Sequence, residues 1–266
     1  MSRLQHRVSL VTGAARGIGA GISRVLAKHG AIVVLTDASD VVKETAENIS
    51  KAGFNATAFK MDVTESERVN NVVKEVLNKF GRLEVLVNNA GIYPRCGLVD
   101  MTDEFLRRMF DVNVFGMFRC ARAVLPTMIK QRYGKIVNMS SVTGPLVGDP
   151  FGGQTAYAST KAAVRGFTVA LALEVAQFGI NVNSVMPGYV DTPGGRDQTA
   201  ESEFPDKSME DLGRTVPMGR VGTPDEVGDL VAFLVSDESR YLTGANIVID
   251  GGNIIQETYR GPYAPK

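Results

Sequence analysis

Seven runs of apolar and β-branched residues, each of strand length, recur along the chain: RVSLVT (7–12), AIVVLT (31–36), ATAFKM (56–61), LEVLVN (83–88), KIVNMS (135–140), INVNSV (180–185) and ANIVID (245–250). Segments of helical length separate them, among them 17–29, 40–52, 65–80, 103–132 and 155–178. A strand that faces solvent on one side alternates apolar and polar residues, whereas these runs are apolar nearly throughout. Such strands must be covered on both faces, and alternation with helices gives a parallel sheet between two helical layers. The chain therefore predicts a doubly wound α/β fold with a seven-stranded parallel sheet, one domain over 1–266. No linker, low-complexity stretch or repeat interrupts it. One polar, aperiodic segment, GGRDQTAESEFPDKSMEDLGRT (194–215), breaks the pattern and is expected to be a mobile excursion, a candidate substrate lid.

Charge and composition exclude several classes of partner. The 29 basic and 29 acidic side chains cancel, which argues against nucleic acid or an anionic membrane as a ligand. Apolar stretches such as AIVVL (31–35) and VAFLV (231–235) are far too short to span a bilayer. The N-terminal residues carry no secretory apolar region, so a cytoplasmic location is expected. Cys96 and Cys120 show no pairing or ligand spacing and are expected to be reduced packing residues. His6 and His29 also lie outside any ligand spacing, so no metal site is expected.

The first strand runs into VTGAARGIGAG (11–21), which places Gly13, Gly17 and Gly19 at a strand-to-helix turn. Glycines there let the backbone bend tightly and approach a pyrophosphate, whose charge the helix N-terminus favours. The spacing is G-x-x-x-G-x-G, a departure from the G-x-G-x-x-G dinucleotide fingerprint, and by itself it is also compatible with a plain tight turn. Asp37 adds weight to the ligand reading. It ends the second strand, 18 residues beyond Gly19, where a carboxylate accepts hydrogen bonds from ribose hydroxyls. A carboxylate would repel a 2′-phosphate, and the following Ala38 supplies no cation to hold one, so NAD is favoured over NADP. Arg16 in the turn is the contrary feature. Asp62 and Val63, at the end of the third strand, suit either the adenine amino group or the N-terminal region of the next helix. NNAG (88–91) suits close approach to a ribose, and equally a turn.

Tyr157 and Lys161 stand i, i+4 on a predicted helix, so both project from one face. A phenol titrates near 10, and a neighbouring ammonium stabilises the phenolate, making the group usable as an acid or base. The pair follows the candidate nucleotide site, the fifth strand and the double serine Ser140-Ser141.

With these residues in place the chain resembles the short-chain dehydrogenase/reductase family over nearly all of its length. The resemblance rests on TGAARGIG (12–19), Asp37, Asp62-Val63, NNAG (88–91), Asn113 in DVNVFG, IVNMSS (136–141), YASTK (157–161), PGYVDTP (187–193) and YLTGANIVIDGG (241–252). It implies a Rossmann-type fold and a tetrad of Asn113, Ser141, Tyr157 and Lys161. In that scheme Tyr157 exchanges the proton with the substrate oxygen and Ser141 hydrogen-bonds that oxygen. Lys161 lowers the phenol's pKa and binds the nicotinamide ribose, and Asn113 holds a water that links Lys161 to solvent. The cofactor contacts implied are Gly13, Arg16, Gly17, Ile18, Gly19, Asp37, Asp62, Val63, Asn89, Ala90, Gly91, Tyr157, Lys161, Pro187, Gly188, Val190 and Thr192. The loop between Ser141 and Tyr157 is about three residues longer than is commonest in the family. Ser141, at its strand end, is preferred to Ser140 as the functional serine. Within the family, SSVTG…DP…TAYA and the tail IDGGN…QET look like the UcpA-type bacterial oxidoreductases.

Substrate candidates are Ser141, Tyr157, Arg95, Phe151 and Tyr189, with Tyr93, Val142 and the segment after Thr192 near them. Arg95 suits a carboxylate or phosphate, or is simply a solvated arginine at the cleft mouth. The segment AAVRGFTVALALEVAQ (162–177) is apolar on several sides and so is expected to be buried. The family resemblance places it across a subunit interface, in a homodimer or homotetramer. The expected activity is an NAD-dependent secondary alcohol dehydrogenase or ketone reductase acting on a small alcohol, sugar or related carbonyl. The alternatives are an NADPH-dependent 3-oxoacyl-acyl-carrier-protein reductase and a catalytically silent nucleotide-binding regulator.

Overall fold

The computed structural model describes residues 2–149, 152–200 and 208–256, with backbone only over 198–200. Seven strands, β1 (Val8–Thr12), β2 (Ile32–Asp37), β3 (Ala56–Lys60), β4 (Val85–Asn88), β5 (Gly134–Met139), β6 (Ile180–Pro187) and β7 (Asn246–Ile249), form one parallel sheet of order β3-β2-β1-β4-β5-β6-β7. The central strands β1, β4 and β5 are buried along their whole length, as their unbroken apolar runs require. Register is fixed by matched apolar pairs such as Val8 with Ile32 and Leu10 with Leu86.

Helices α1 (Gly17–Lys28), α2 (Val41–Lys51), α3 (Ser66–Phe80), α4 (Asp103–Phe110), α5 (Gly116–Gln131), α6 (Thr155–Val175), α7 (Pro193–Ala200), α8 (Met209–Arg214) and α9 (Pro224–Leu234) complete the chain. One core packs Ile22 and Val25 of α1, Val42 of α2 and Val231 of α9 against Val11, Val33 and Val87 of the sheet. The other packs Val72 and Val76 of α3, Val124 of α5 and Leu171 of α6 against Leu10, Leu86 and Ile136. The chain winds outward through β1, β2 and β3, then crosses to begin β4 on the other side of β1. That reversal opens a crevice beyond the carboxyl ends of β1 and β4, where ligands of such folds bind.

Four features depart from the sequence reading. The long segment 103–132 is interrupted by a π-helical turn, Asp111–Phe115, between α4 and α5. The described parts of 194–215 are helical, in α7 and α8, and residues 201–207 lie outside the described residues. Helix α8 is only six residues long and is held by a capping box between Ser208 and Asp211. Helix α9 was not among the predicted segments, although Thr223-Pro224-Asp225-Glu226 is a capping-box start with proline at the first turn. Finally, α6 is not buried all round: Val169 is 42% and Leu173 80% exposed. Only one face of this outer-layer helix reaches the sheet within a single chain. No described helix is long and apolar enough to cross a membrane.

Candidate active site

A cleft of about 680 Å³ lies along the carboxyl ends of the strands. Its floor begins at the glycine turn. Gly13 has φ +63°, and a Cβ there would stand 2.7 Å from the Cα of Ala90. Gly19 has no room for a side chain either, because a Cβ would collide with the carbonyl of Gly13. The turn is held from the β4 end. Thr12 Oγ1 accepts the backbone N–H groups of Asn89 and Ala90, both at 3.0 Å. The Asn89 side-chain amide donates to the carbonyls of Thr12 and Gly13 at 3.0 and 2.9 Å. Asn89 therefore lines the cleft chiefly as the clamp of the glycine turn. Arg16 is exposed at the mouth, and Ile18 and Gly17 complete the wall, with Gly17 facing Thr192.

Asp37, at the end of β2, also lines the cleft. Its Oδ2 accepts from the N–H of Ala15 at 3.1 Å and its Oδ1 from that of Ser39 at 2.9 Å. These bonds orient the carboxylate and leave lone pairs on both oxygens. Asp62 and Val63 are not among the lining residues. Asp62 Oδ1 is committed to the backbone and hydroxyl of Thr64, at 2.9 and 2.8 Å, and Val63 is buried against Gly116. Asp62 thus closes a local turn through Oδ1, and neither residue caps α3. Ala90, Gly91, Pro187, Gly188, Val190 and Thr192 all line the cleft as the sequence indicated.

Tyr157 and Lys161 share one face of α6 and meet Ser141 from the end of β5. The Tyr157 phenol and the Ser141 side chain are hydrogen-bonded. The paired serines separate cleanly. Ser140 Oγ donates to the carbonyl of Lys161 at 2.8 Å, which fastens β5 to α6. Ser141 faces the phenol, and its Oγ also accepts the N–H of Thr143 at 3.1 Å. Lys161 Nζ donates to the carbonyl of Met139 at 2.8 Å and lies 5.5 Å from the centre of the Tyr157 ring. Its side chain is buried, and burial brings its pKa down to about 8.

Burial pushes the Tyr157 phenol of the free protein up to about 12, with the hydrogen bond to Ser141 acting in the opposite direction and Tyr93 and Asp149 adding to the rise. At neutral pH the pair is therefore a phenol beside an ammonium.

Asn113 is buried in the π-helical turn, a distortion that recurs at functional sites. Its Oδ1 accepts from the N–H of Ile92 at 2.7 Å, and its Nδ2 donates to the Ile92 carbonyl at 2.8 Å and to Thr160 Oγ1 at 3.1 Å. The side chain thus holds the loop that follows β4 against the helix that carries Tyr157. It is not itself a cleft-lining group.

The remaining wall is formed by Tyr93, Arg95, Tyr189 and the start of α7. Tyr93 meets Tyr157 edge-on, with centroids 6.4 Å apart. Arg95 is neither a solvated arginine nor an open anion receptor. Its guanidinium grips Asp149 through both terminal nitrogens at 3.1 and 3.0 Å and donates to the Gly152 carbonyl at 2.6 Å. It straps the extended loop after Ser141 to the loop after β4. This long-range pair had no signal in the sequence beyond the presence of an acid in the longer loop. Val142 is buried with its N–H on the Pro187 carbonyl and is not a lining residue. Phe151 lies outside the described residues.

A glycine turn with no room for a Cβ at Gly13 or Gly19, the Asp37 carboxylate at the end of β2 and a serine–phenol–ammonium group therefore share one cleft. The sequence model of the family described as enoyl-(acyl carrier protein) reductase, adh_short_C2, matches residues 13–253. The chain is a short-chain dehydrogenase/reductase. It is similar to the oxidoreductase UcpA of Escherichia coli K12, 44% identical over 260 residues, covering 97% of this chain and 98% of that protein. It is also similar to the 3-oxoacyl-[acyl-carrier-protein] reductase FabG of Thermotoga maritima, 42% identical over 95% of this chain and 100% of that one. Among solved structures, a gluconate 5-dehydrogenase from Burkholderia cenocepacia in complex with NADP and tartrate matches with a TM-score of 0.87. Its identity is 33%, and the match covers 96% of this chain and 97% of that chain. The family is one of nicotinamide-dependent oxidoreductases, and this short-chain dehydrogenase/reductase has the cradle such a cofactor needs.

Proposed function

We propose that the protein interconverts a small secondary alcohol, sugar or related hydroxy compound and its ketone, using NAD(H), with Tyr157 as the proton-transferring residue. The observation that carries this reading is the meeting of Tyr157, Ser141 and buried Lys161 in the cleft that also holds the glycine turn and Asp37. Gly13, Gly17, Gly19 and Asp37 would hold the dinucleotide, and Pro187, Gly188, Val190 and Thr192 would flank its nicotinamide. The bound cofactor supplies the hydride acceptor or donor.

The chain's own residues supply position and the proton. Tyr157, a neutral phenol at neutral pH, donates to a carbonyl oxygen lying against it, and Ser141 Oγ donates a second hydrogen bond to that oxygen. Lys161, still largely an ammonium, favours the phenolate that results. Asn113 acts through position, locking Ile92 to Thr160 so that the β4 and α6 sides of the cleft keep their spacing. In the alcohol-oxidising direction Tyr157 must first be a phenolate, so oxidation gains relative to reduction as pH rises.

Asp37 supports NAD, because a fixed carboxylate repels a 2′-phosphate. A second reading, an NADPH-dependent 3-oxoacyl-acyl-carrier-protein reductase, draws on exposed Arg16 at the cleft mouth and on the likeness to FabG. The similarity to a gluconate 5-dehydrogenase favours a hydroxylated substrate over an acyl chain. We further propose a cytoplasmic homo-oligomer.

Tyr157→Phe tests the central assignment. With a panel of secondary alcohols, sugars and ketones followed at the nicotinamide absorbance, turnover should fall by about a hundredfold or more while cofactor affinity stays within about threefold. Undiminished turnover would remove Tyr157 from the chemistry.

A further inference from the structure

Gly194, the second residue of α7, is a glycine that the backbone does not require. Its φ lies outside the left-handed region, and in a helix alanine is the more favourable residue. What excludes a side chain is Tyr93. A Cβ at position 194 would stand 1.8 Å from the Tyr93 hydroxyl oxygen and 3.0 Å from its Cζ, so the first turn of α7 lies directly on the phenol. The same ring meets Tyr157 edge-on, and thus touches both the helix and the residue assigned to the proton. Tyr93 is half-buried, and burial raises the pKa of its phenol. The other bonds at the start of α7 are local. Thr192 Oγ1 accepts the N–H of Gly195 at 3.0 Å, and Arg196 pairs with Asp191 through two bonds of 2.7 Å. These tie α7 to the end of β6, whereas the Tyr93 contact sets it against the β4 side of the cleft.

We propose that Tyr93 is a positioning residue: its hydroxyl is the rest on which the first turn of α7 is seated, and position 194 is kept free of a side chain to admit it. The consequence for turnover rests on the assignment of Tyr157 to the reaction. A methyl group at 194 must displace either the ring or the helix. The ring is packed against Tyr157, whereas none of residues 193–197 is buried, so the helix is the part that yields. Gly194, Gly195 and Asp197 line the cleft, and lifting α7 moves the wall against which a substrate is oriented. A misplacement of about 1 Å is enough to cost about a hundredfold in rate.

The test is a double-mutant cycle of Gly194→Ala and Tyr93→Phe with two readouts. The first is the rate of tryptic cleavage after Arg196, a residue of α7 that is 66% exposed, in the free protein. Helix propensity alone predicts that Gly194→Ala slows this cleavage about twofold to fivefold. With the hydroxyl beneath it, the added methyl should instead speed cleavage about tenfold. In Tyr93→Phe, where only the 3.0 Å contact to Cζ remains, the same substitution should lose that acceleration. Unchanged or slower cleavage in Gly194→Ala, or an acceleration that persists in Tyr93→Phe, overturns the proposal. The second readout is kcat/KM with secondary alcohols, sugars and ketones. Gly194→Ala should lower it about tenfold to a hundredfold in the wild-type background and by less than about threefold in Tyr93→Phe. The melting temperature should stay within about 2 °C throughout, because no described residue of α7 belongs to either core. An equal loss of turnover in both backgrounds, or one that follows the melting temperature, overturns the positioning role. If wild type turns over none of these substrates, the reaction assignment fails, and the cleavage rates alone decide the seat.

Discussion

Replacing Lys161 with methionine removes a charge from the interior while keeping a chain of similar length, and the structure allows its consequence to be worked out. Lys161 is 6% exposed, and burial lowers its pKa from 10.5 to about 8. A basic group whose pKa is depressed on folding destabilises the native state wherever it is charged in both states, below about pH 8. That cost is relieved as pH rises toward the unfolded value, because the unfolded chain then binds more protons than the folded one. A depression of this size corresponds to about 3 kcal/mol near neutrality, of which about 2 kcal/mol is relieved by about pH 9.5.

Methionine also removes the hydrogen bond to the Met139 carbonyl, but that loss does not depend on pH. The informative quantity is thus the difference in pH slope between wild type and variant. Thermal unfolding of both proteins without cofactor, followed from about pH 7 to about pH 9.5, should show wild type gaining roughly 4–8 °C on Lys161→Met. Lys135, also lowered to about 8 by burial, and Cys120, raised by burial, titrate alike in both proteins and cancel. Parallel slopes would mean that Lys161 is not a desolvated cation, and the proton assignment built on it would fall.

Two further outcomes are expected. Asp37→Ala should weaken NAD binding about tenfold and NADP binding far less, measured by titration of nicotinamide fluorescence, since only the former loses a ribose acceptor without gaining relief from repulsion; equal weakening refutes the ribose role. Phe115, Phe118, Val169 and Leu173 expose an apolar surface across the π turn, α5 and α6, with Phe118 and Phe167 packed 4.4 Å apart. Phe118→Glu with Leu173→Glu should convert a dimer or tetramer to monomer by light scattering, and a wild type that is already monomeric removes the proposed assembly.

The strands were legible because burial on both faces demands an uninterrupted apolar run, a local property of sequence. Helices α7 and α8 were not, because they are short and polar and depend on caps rather than on an apolar stripe. The Ser208 box was nevertheless written as Ser-x-x-Asp, and that of α9 as Thr-x-x-Glu. The π turn left no signal in the sequence, and the bonds that Asn113 makes from it, to Ile92 and Thr160, join residues far apart in the chain.

The site divides along the same line. Residue identities at Gly13, Asp37, Ser141, Tyr157 and Lys161 could be read because each sits at a strand end or on one helix face, where spacing fixes geometry. Their proton states could not, because spacing places an ammonium near a phenol without saying which atoms desolvate either one. One residue illustrates what only the fold reveals. Arg95 suited either an anionic ligand or solvent and is instead closed onto Asp149. A charged side chain that finds an internal partner in this way is withdrawn from ligand recognition.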